Sequence, residues 1–511
     1  MNAFKKKSLC LAVVAGLGAV GMAGTASAVN INSNGLGQVL IYPYFTVRAG
    51  NATYLSVVNT TGVAKAVKVR FLEGRNSREV LDFNLYLSPR DIWTGAVVAN
   101  SSGNGRLITN DKSCTAPAIP AAGVDFVNYA YSGALIEGIV NNNAIDGVAG
   151  SDTMDRTREG YFEIIEMGVI TNAAIAAAVT HTSAGVPANC ALVQTTTLTT
   201  NTGTNGMGVS ALANAVAAPS GGLAGTATLI NVAAGTDAGY DPVALASFSN
   251  VNIWNPPGAV QPDLRQAQPA TSVVFKNGVA ITSTWTAATA DAVSSVLMHD
   301  NVINEFVLDT ATLSATDWVV TMPTKRFYVP VQDGISPTPA PASGLPPFTS
   351  YYYTYTAAPT WTGGACEPVS LQYWDREEQT PQTPATPLQF SPLPTAPGVT
   401  GNSLCWEATV VTFNNGNLLG SANLVNVPIA SPTQNGWLRM TFNNAAAPVN
   451  GNNKTQAMTS IDVVPNTFVG LPVVGFMVQD FVNGNVGGVL SNYAGNFNHK
   501  TTTLINGSSA D

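Results

Sequence analysis

Residues 64–74, AKAVKVRFLEG, and residues 78–95, REVLDFNLYLSPRDIWTG, contain the clearest strand pattern in the chain. They belong to a stretch from Gly37 to Gly95 that begins GQVLIYPYFTVR. In the first of them, apolar side chains alternate with Lys68 and Arg70. Strict alternation predicts a strand with one buried face and one solvent-facing face. We therefore expect Lys68 and Arg70 on the outer surface of a sheet.

A second strand is predicted over Glu79–Ser88, where leucine and phenylalanine alternate with polar residues and tyrosine. The five residues GRNSR at 74–78 are typical of a turn, so the two strands are expected to form an antiparallel hairpin. This pattern indicates a mainly β chain, built from antiparallel, immunoglobulin-like β-sandwich modules. A few short helices and long polar loops complete the predicted fold class.

The first 28 residues are typical of an export signal. Lys5, Lys6 and Lys7 precede an apolar run, and Ala26-Ser27-Ala28 fits a cleavage site. We expect a mature chain that starts at Val29 and is exported to the cell surface or medium, with the periplasm as the alternative. The sequence contains no later apolar run of membrane-spanning length, so no transmembrane anchor is predicted after cleavage.

The charge balance excludes one class of partner and marks one region. The chain of 511 residues has a formal net charge of −8, and loss of the signal makes it −11. Nucleic acid is not expected as a partner, because phosphate binding needs a basic face. Nine of the 19 remaining lysines and arginines lie between residues 48 and 112. Lys65, Lys68 and Arg70 thus form either an ordinary polar face or a docking surface for a neighbouring copy, another surface component or anionic polysaccharide.

Four cysteines remain after removal of the signal: Cys114, Cys190, Cys366 and Cys405. An even number in an exported chain indicates two disulfides. We favour Cys114–Cys190 and Cys366–Cys405, because each pair closes a loop within one region. No C-x-x-C spacing or histidine pair supports a metal site.

The proline-rich sequence GISPTPAPASGLPPF at 334–348 predicts an extended linker. It divides the mature chain into a β-rich region over 29–333, which opens with the sandwich module, and a β-rich domain over 349–511. Before the linker, Thr289 is a suitable N-cap for a helix predicted over Ala292–Phe306.

Tyr351, Tyr353 and Tyr355 would share one face of a strand, with Trp361 close in sequence. An exposed row of this kind would stack on sugar rings or on another protein. A buried row would be a cross-strand ladder without a binding role.

The chain shows no catalytic motif. Its three histidines are isolated in sequence, and neither H-E-x-x-H nor G-x-S-x-G occurs. Glu377 and Glu378, next to Tyr373 and Trp374, are the carboxylates to test first for glycosidase chemistry, but a local ion pair with Arg376 is favoured.

No cofactor is predicted. Calcium remains an alternative at the polar loop that contains Asn141–Asn143, Asp146, Asp152 and Asp155, although its spacing matches no EF-hand. A solvated loop is the favoured interpretation of this segment.

Four sequence segments carry a resemblance to a known group of proteins: TDWVVTMPTKRFYV at 316–329, YWDREE at 373–378, LCWEATVVTF at 404–413 and GLPVVGF at 470–476. The chain resembles a group of uncharacterised exported bacterial proteins that are described only as cell surface proteins. The resemblance implies location and supplies no catalytic motif. We expect a non-enzymatic surface protein with a structural or interaction role, such as a self-assembling layer or sheath component. The alternatives are an adhesin or polysaccharide-binding protein and, less favoured, an enzyme acting on polysaccharide.

Overall fold

The computed structural model describes residues 28–131, 135–136, 139–140, 153–194, 209–329, 345–349, 353–354, 360–361, 364–378, 402–431, 433–442, 455–506 and 508–509. These residues form mainly antiparallel strands, which confirms the predicted mainly β class with sandwich-like packing and few helices. The immunoglobulin-like strand order stays a prediction. The proposed signal before Ala28 lies outside the described residues.

Sixteen strands lie in the described part of the chain before residue 247. They are β1 (Asn30–Ile31), β2 (Val39–Thr46), β3 (Ala52–Asn59), β4 (Lys65–Glu73), β5 (Glu79–Leu87), β6 (Ile92–Ala99), β7 (Gly105–Ile108), β8 (Cys114–Ala116), β9 (Val124–Asp125), β10 (Leu135–Ile136), β11 (Ile139–Val140), β12 (Glu159–Ile170), β13 (Val216–Ala217), β14 (Leu223–Asn231), β15 (Thr236–Tyr240) and β16 (Val243–Ala246).

Twenty strands follow in the described part of the remaining chain. They are β17 (Thr271–Lys276), β18 (Val279–Thr284), β19 (Met298–His299), β20 (Asn301–Val307), β21 (Thr316–Thr321), β22 (Tyr353–Thr354), β23 (Thr360–Trp361), β24 (Glu367–Asp375), β25 (Asn402–Leu404), β26 (Ala408–Phe413), β27 (Leu424–Val427), β28 (Asn435–Thr441), β29 (Ala457–Thr459), β30 (Thr467–Val469), β31 (Leu471–Pro472), β32 (Val474–Val486), β33 (Val489–Asn498), β34 (Lys500–Thr502), β35 (Leu504–Ile505) and β36 (Ser508–Ser509).

The helices are short: α1 (Ala173–Val179), α2 (Val209–Asn214) and α3 (Asp291–Val296), with 3-10 turns elsewhere. The helix predicted over Ala292–Phe306 is wrong beyond Val296. The chain turns there and enters β19 and then β20, in which Val302 and Phe306 are buried while Glu305 is exposed. This alternation with a period of two is typical of a strand. Pairing with β28 stabilises the strand over the helix that the sequence pattern predicts.

The predicted hairpin is confirmed as β4 and β5, paired antiparallel with Val69 opposite Phe83. The hairpin lies in a sheet of order β1-β16-β2-β12-β4-β5-β8, with β13 also paired to β12. A six-stranded sheet of order β15-β14-β3-β6-β7-β9 packs against it. The apolar residues that were predicted to face inward fill the core between these two sheets, together with Trp93 and Phe162.

The expectation that Lys68 and Arg70 face solvent is wrong, because the larger sheet is covered on both sides. The segment 248–267 crosses its second face, where Phe248 and Leu264 pack against Ile165. Backbone groups of that segment also contact β5, since Asn84 donates to the Asn255 carbonyl oxygen at 2.9 Å. The alternation in β4 therefore separates two buried faces, one apolar and one charged.

The domain boundary predicted at 334–348 does not divide the fold. Strand β21, which precedes it, pairs with both β26 and β32, which follow it. These strands form a sheet of order β27-β26-β21-β32-β33, and a facing sheet has the order β25-β24-β28-β20-β34. Phe348, at the end of the proposed linker, is buried in the core between them. Residues 334–344 lie outside the described part of the chain.

The two halves of the chain also share a core. Val319, Val410, Phe476 and Val478 pack into the same apolar cluster as β2 and β14. Tyr240 stacks on Phe476 with the ring centroids 4.4 Å apart. The regions 29–333 and 349–511 are thus parts of one packed structure and not separate units.

Both predicted disulfides are present, Cys114–Cys190 and Cys366–Cys405. The α-helices of the described part have only six or seven residues each, too few to span a bilayer.

Candidate interaction surfaces

The basic residues of the opening hairpin form buried ion pairs. Lys65 donates from Nζ to Glu166 Oε1 at 2.6 Å, and neither side chain is exposed. Lys68 pairs with Asp82 in the same layer. Arg70 contacts Glu79 at 2.9 Å and Glu163 at 3.1 Å.

Because Lys65, Lys68 and Arg70 are buried, the predicted docking surface at these residues is wrong in this structure. Each of these positive charges is paired with a carboxylate inside the molecule. A partner could reach them only if the covering segment 248–267 moved away. The neighbouring Glu73 shows the same internal matching: it receives three backbone N–H bonds and Arg156, and these lower its pKa to about 2 despite burial. Lys65, Lys68 and Arg70 therefore belong to the interior of the fold and do not form a free surface.

Two carboxyl groups of this layer hold protons unusually well. Burial raises the pKa of Glu163 to about 7 and outweighs the opposing effect of Arg70. Burial, together with the nearby Asp82 carboxylate, also raises the pKa of Glu79 to about 7. The layer therefore contains groups that titrate near neutral pH.

This titration gives a pH-dependent prediction. Between pH 4.5 and 7, folded Glu163 keeps a proton that the unfolded chain, with its ordinary pKa of 4.5, releases. The contribution to stability is therefore complete below pH 4.5 and is lost as the pH rises to 7. We expect wild type to lose a few kcal/mol of stability relative to Glu163→Gln over this range, since one pKa unit corresponds to about 1.4 kcal/mol. Urea denaturation of both proteins at pH 4.5–8 measures this difference. The half-buried His299 and His499 and the carboxyl group of Glu79 are present in both proteins, so parallel pH profiles would contradict the prediction.

The predicted aromatic row is only partly described. Tyr353 in β22 lies opposite Trp361 in β23, so the structure does place these two residues on neighbouring strands. Tyr351 and Tyr355 lie outside the described residues. A binding role for this row stays a prediction.

Ser88, Asp91 and His181 come together although they are distant in sequence. Ser88 Oγ lies 3.0 Å from His181 Nδ1, and Asp91 Oδ2 lies 3.6 Å from the same nitrogen. A catalytic triad instead needs the serine and the carboxylate on opposite ring nitrogens. Ser88 also donates to Asp91 at 3.1 Å, so the three groups form a local hydrogen-bond cluster.

His299 and His499 line one small cavity of about 270 Å³ with Asp241, Val302 and Val474. Burial lowers the pKa of both histidines to about 4. His499 uses both ring nitrogens, as Nδ1 accepts from Asn304 at 3.1 Å and Nε2 donates to the Val319 carbonyl oxygen at 3.0 Å. Two hundred residues separate the pair, so their spacing in the sequence carried no signal.

The acidic segment after β24 does not form the expected ion pair. Glu377 and Glu378 are exposed, and the Glu377 backbone N–H donates to Asp375 Oδ1 at 3.0 Å. Among the described residues, no salt bridge joins Arg376 to either glutamate.

The predicted calcium loop is only partly described. Its Asp155 pairs with Arg48 at 2.6 Å, and residues 141–152 lie outside the described part. Nowhere in the described residues do three or more His, Cys, Asp or Glu side chains form a metal-binding group.

Two hairpins expose apolar side chains that no sequence motif marks. The β32–β33 hairpin meets the turn between β14 and β15, because Asn492 donates to the Ala234 carbonyl oxygen at 2.8 Å. We call the exposed apolar residues of this region the hairpin-tip patch: Val232, Val486, Val489, Leu490 and Tyr493.

A second exposed feature lies on the outer face of the sheet that contains β24 and β28. Trp374 and Trp437 stack there with ring centroids 4.1 Å apart and an interplanar angle of 14°. Both are half-buried, whereas Leu438 and Met440 point into the core. In the sequence, Trp374 stands out only as a neighbour of acidic residues.

No protein-family model matches the chain, and comparisons with curated proteins and with solved structures return no match. The resemblance to exported cell surface proteins therefore stays a prediction.

Proposed function

We propose that the chain is an exported, non-enzymatic cell-surface protein that associates with copies of itself through the hairpin-tip patch. The observation that carries this proposal is the exposure of the patch. Val232, Val489 and Tyr493 are 84%, 65% and 61% exposed, respectively. Exposed apolar side chains grouped at a hairpin end favour association, because their removal from water is favourable.

The geometry of the hairpins supports contact with another molecule. An added Cβ at Gly484, Gly487 or Gly488 meets no atom within 4 Å, so these three positions at the end of the β32–β33 hairpin face open space. Val486 lies opposite Val489, which places two apolar side chains side by side at that end. A projecting apolar end can enter a neighbouring copy without rearrangement of the core.

Low charge favours a second copy as the partner. Only 10% of the residues are charged, so an interface between copies removes few charges from water, while the repulsion from the net charge of −11 is screened by salt. If the hairpin end of one copy contacts a different surface of the next copy, the contact is head-to-tail and repeats without closing, which would produce the predicted layer or sheath.

Export is supported by two disulfides, since such bonds persist in oxidising compartments. The signal-like first 28 residues point the same way. We propose the cell surface or the medium as the location, with the periplasm as the alternative. No catalytic role is proposed for Ser88, Asp91 and His181, because the serine and the carboxylate face the same ring nitrogen, and no cofactor is proposed.

Sedimentation of the mature chain tests the association. We expect wild type to form high-mass species, and Leu490→Ser/Tyr493→Ser to remain monomeric over at least a tenfold higher concentration. Phe275→Ser is the matched control, because Phe275 is 69% exposed on the separate β17–β18 hairpin. A monomeric wild type, or assembly that is equal in the double variant and wild type, would exclude the proposal.

A further inference from the structure

We infer that the outer face of β24, β28, β20 and β34 binds polysaccharide that carries uronic acid groups. The binding residues form what we call the tryptophan face: Trp374, Trp437, Gln372, Arg439 and Lys500. This site is separate from the hairpin-tip patch and does not depend on self-association.

The strand register places these residues in two adjacent rows. In the first row, Trp374 lies opposite Trp437, and Glu305 follows on the next strand. In the second row, Gln372 lies opposite Arg439, then Ile303 and finally Lys500. Alternation along β28 directs Trp437 and Arg439 away from the core that Leu438 and Met440 enter. One face of the sheet therefore carries an aromatic row beside a cationic row.

The aromatic row suits a sugar ring. Trp374 and Trp437 are held in a fixed stack and remain half-buried, so little side-chain freedom is lost when a ligand binds. The apolar C–H face of a pyranose packs against an indole, while its hydroxyl groups need polar partners at the rim. Gln372, exposed and one row away, supplies both a donor and an acceptor for such hydroxyls.

The cationic row sets the charge of the ligand. The Arg439 guanidinium lies 5.7 Å from the Trp437 ring and 5.9 Å from the Trp374 ring. Its Nε is buried without a hydrogen-bond partner, so an external anion would contact the terminal Nη groups, and among the described residues no carboxylate forms a salt bridge with Arg439. Lys500 is exposed two strands away, about 10 Å along the row at ordinary strand spacing. Most lysines and arginines of the opening region are neutralised internally, whereas this pair is left for an external anion.

A uronate carboxylate is the anion that fits both rows. It matches the planar fork of arginine, and its sugar ring supplies the apolar face that the tryptophans need. The carboxylate of Glu305, beyond Trp437, opposes binding of anionic units at that end of the face. We therefore place the charged groups of the polymer along Arg439 and Lys500 and a sugar ring over the indoles.

Binding of defined oligogalacturonates to the full mature chain tests this inference, with neutral dextran oligomers of equal length as the comparison. Calorimetry and the tryptophan fluorescence both report binding. We expect Arg439→Gln/Lys500→Gln to weaken oligogalacturonate binding at least tenfold, and Trp437→Ala to weaken it at least as much. Added salt should weaken wild-type binding, because these charges are exposed to screening.

The matched control is Leu490→Ser/Tyr493→Ser, which removes two exposed apolar side chains at the other site. Short oligomers exclude avidity from assembly, so this control should bind like wild type whether or not it associates. If Trp437→Ala fails to fold by circular dichroism, the double charge variant decides, because it retains the indole stack. Absence of wild-type binding, equal affinity for dextran, or unchanged affinity in the charge variant would overturn the inference.

Discussion

Replacement of Lys65 by methionine is expected to lower the free energy of unfolding by about 3–5 kcal/mol, the cost of stranding a buried charge. Lys65 Nζ contacts Glu166 Oε1 at 2.6 Å and Ser220 Oγ at 2.7 Å, and both members of the ion pair are buried. Glu166 also receives the backbone N–H groups of Ser220 and Gly221. These two bonds remain in the variant but do not neutralise the carboxylate. Urea denaturation at neutral pH measures the loss.

Two further variants serve as controls for the loss of stability expected in Lys65→Met. Lys65→Met/Glu166→Gln removes the stranded charge, so it should recover a substantial part of the lost stability. Arg106→Met breaks an exposed pair, in which Arg106 lies 3.5 Å from Asp125, and should cost less than about 1 kcal/mol. Equal losses for Lys65→Met and Arg106→Met would show that the buried layer is not ordered as described.

Removal of the Cys114–Cys190 disulfide is expected to destabilise the protein by about 4 kcal/mol, by the chain-entropy relation for a long loop. The two cysteines are 76 residues apart, and Cys114 is buried in a cluster with Met167 and Val179. The bond joins β8, at one edge of the large sheet, to the segment after α1. Thermal unfolding of Cys114→Ala/Cys190→Ala, compared with wild type, measures the effect.

The second disulfide supplies the internal comparison. Cys366 and Cys405 are 39 residues apart, so the same relation predicts a slightly smaller loss for their removal, also about 4 kcal/mol. Reduction of wild type should lower its stability at least as far as either double variant. A protein whose melting is unchanged by reductant would contradict both expectations.

The hairpin of β4 and β5 shows what local sequence can establish. Alternation with a period of two requires only that neighbouring side chains point to opposite faces, and this holds wherever the strand lies. The core position of Val69 and Phe83 could therefore be predicted, and so could the pairing of the two strands through a five-residue turn. The disulfide pairing was also predictable, because four cysteines in two separate regions favour short-range bonds.

Lys68 and Arg70 show where this reasoning stops. The pattern separates one face from the other, but the residues that cover the second face come from 248–267, nearly two hundred positions later. Their burial is possible only because Asp82, Glu79 and Glu163 reach the same layer from neighbouring strands. The strand register supplies these partners, and register depends on long-range pairing.

The candidate sites have the same origin. Trp374 and Trp437 are 63 positions apart, and nothing in the sequence links them. They stack because β24 and β28 pair at the register that places them opposite each other. The hairpin-tip patch likewise needs β14, β15, β32 and β33 to meet. The proline-rich composition of 334–348 predicts a linker, but composition does not show which strands pair across a segment. The domain boundary could therefore not be judged from it.

The sequence by itself thus determined the mainly β class, the opening hairpin and the two disulfides. These depend on side-chain period, turn composition and cysteine number, all of which are local properties. Only the tertiary structure decided that the basic residues are buried, that the two halves share one core, and which aromatic and cationic groups share an exposed face. These outcomes depend on the pairing of strands that are distant in sequence. The free energy that favours this pairing comes from burial and charge matching between segments, and the local sequence of one segment does not identify its partner.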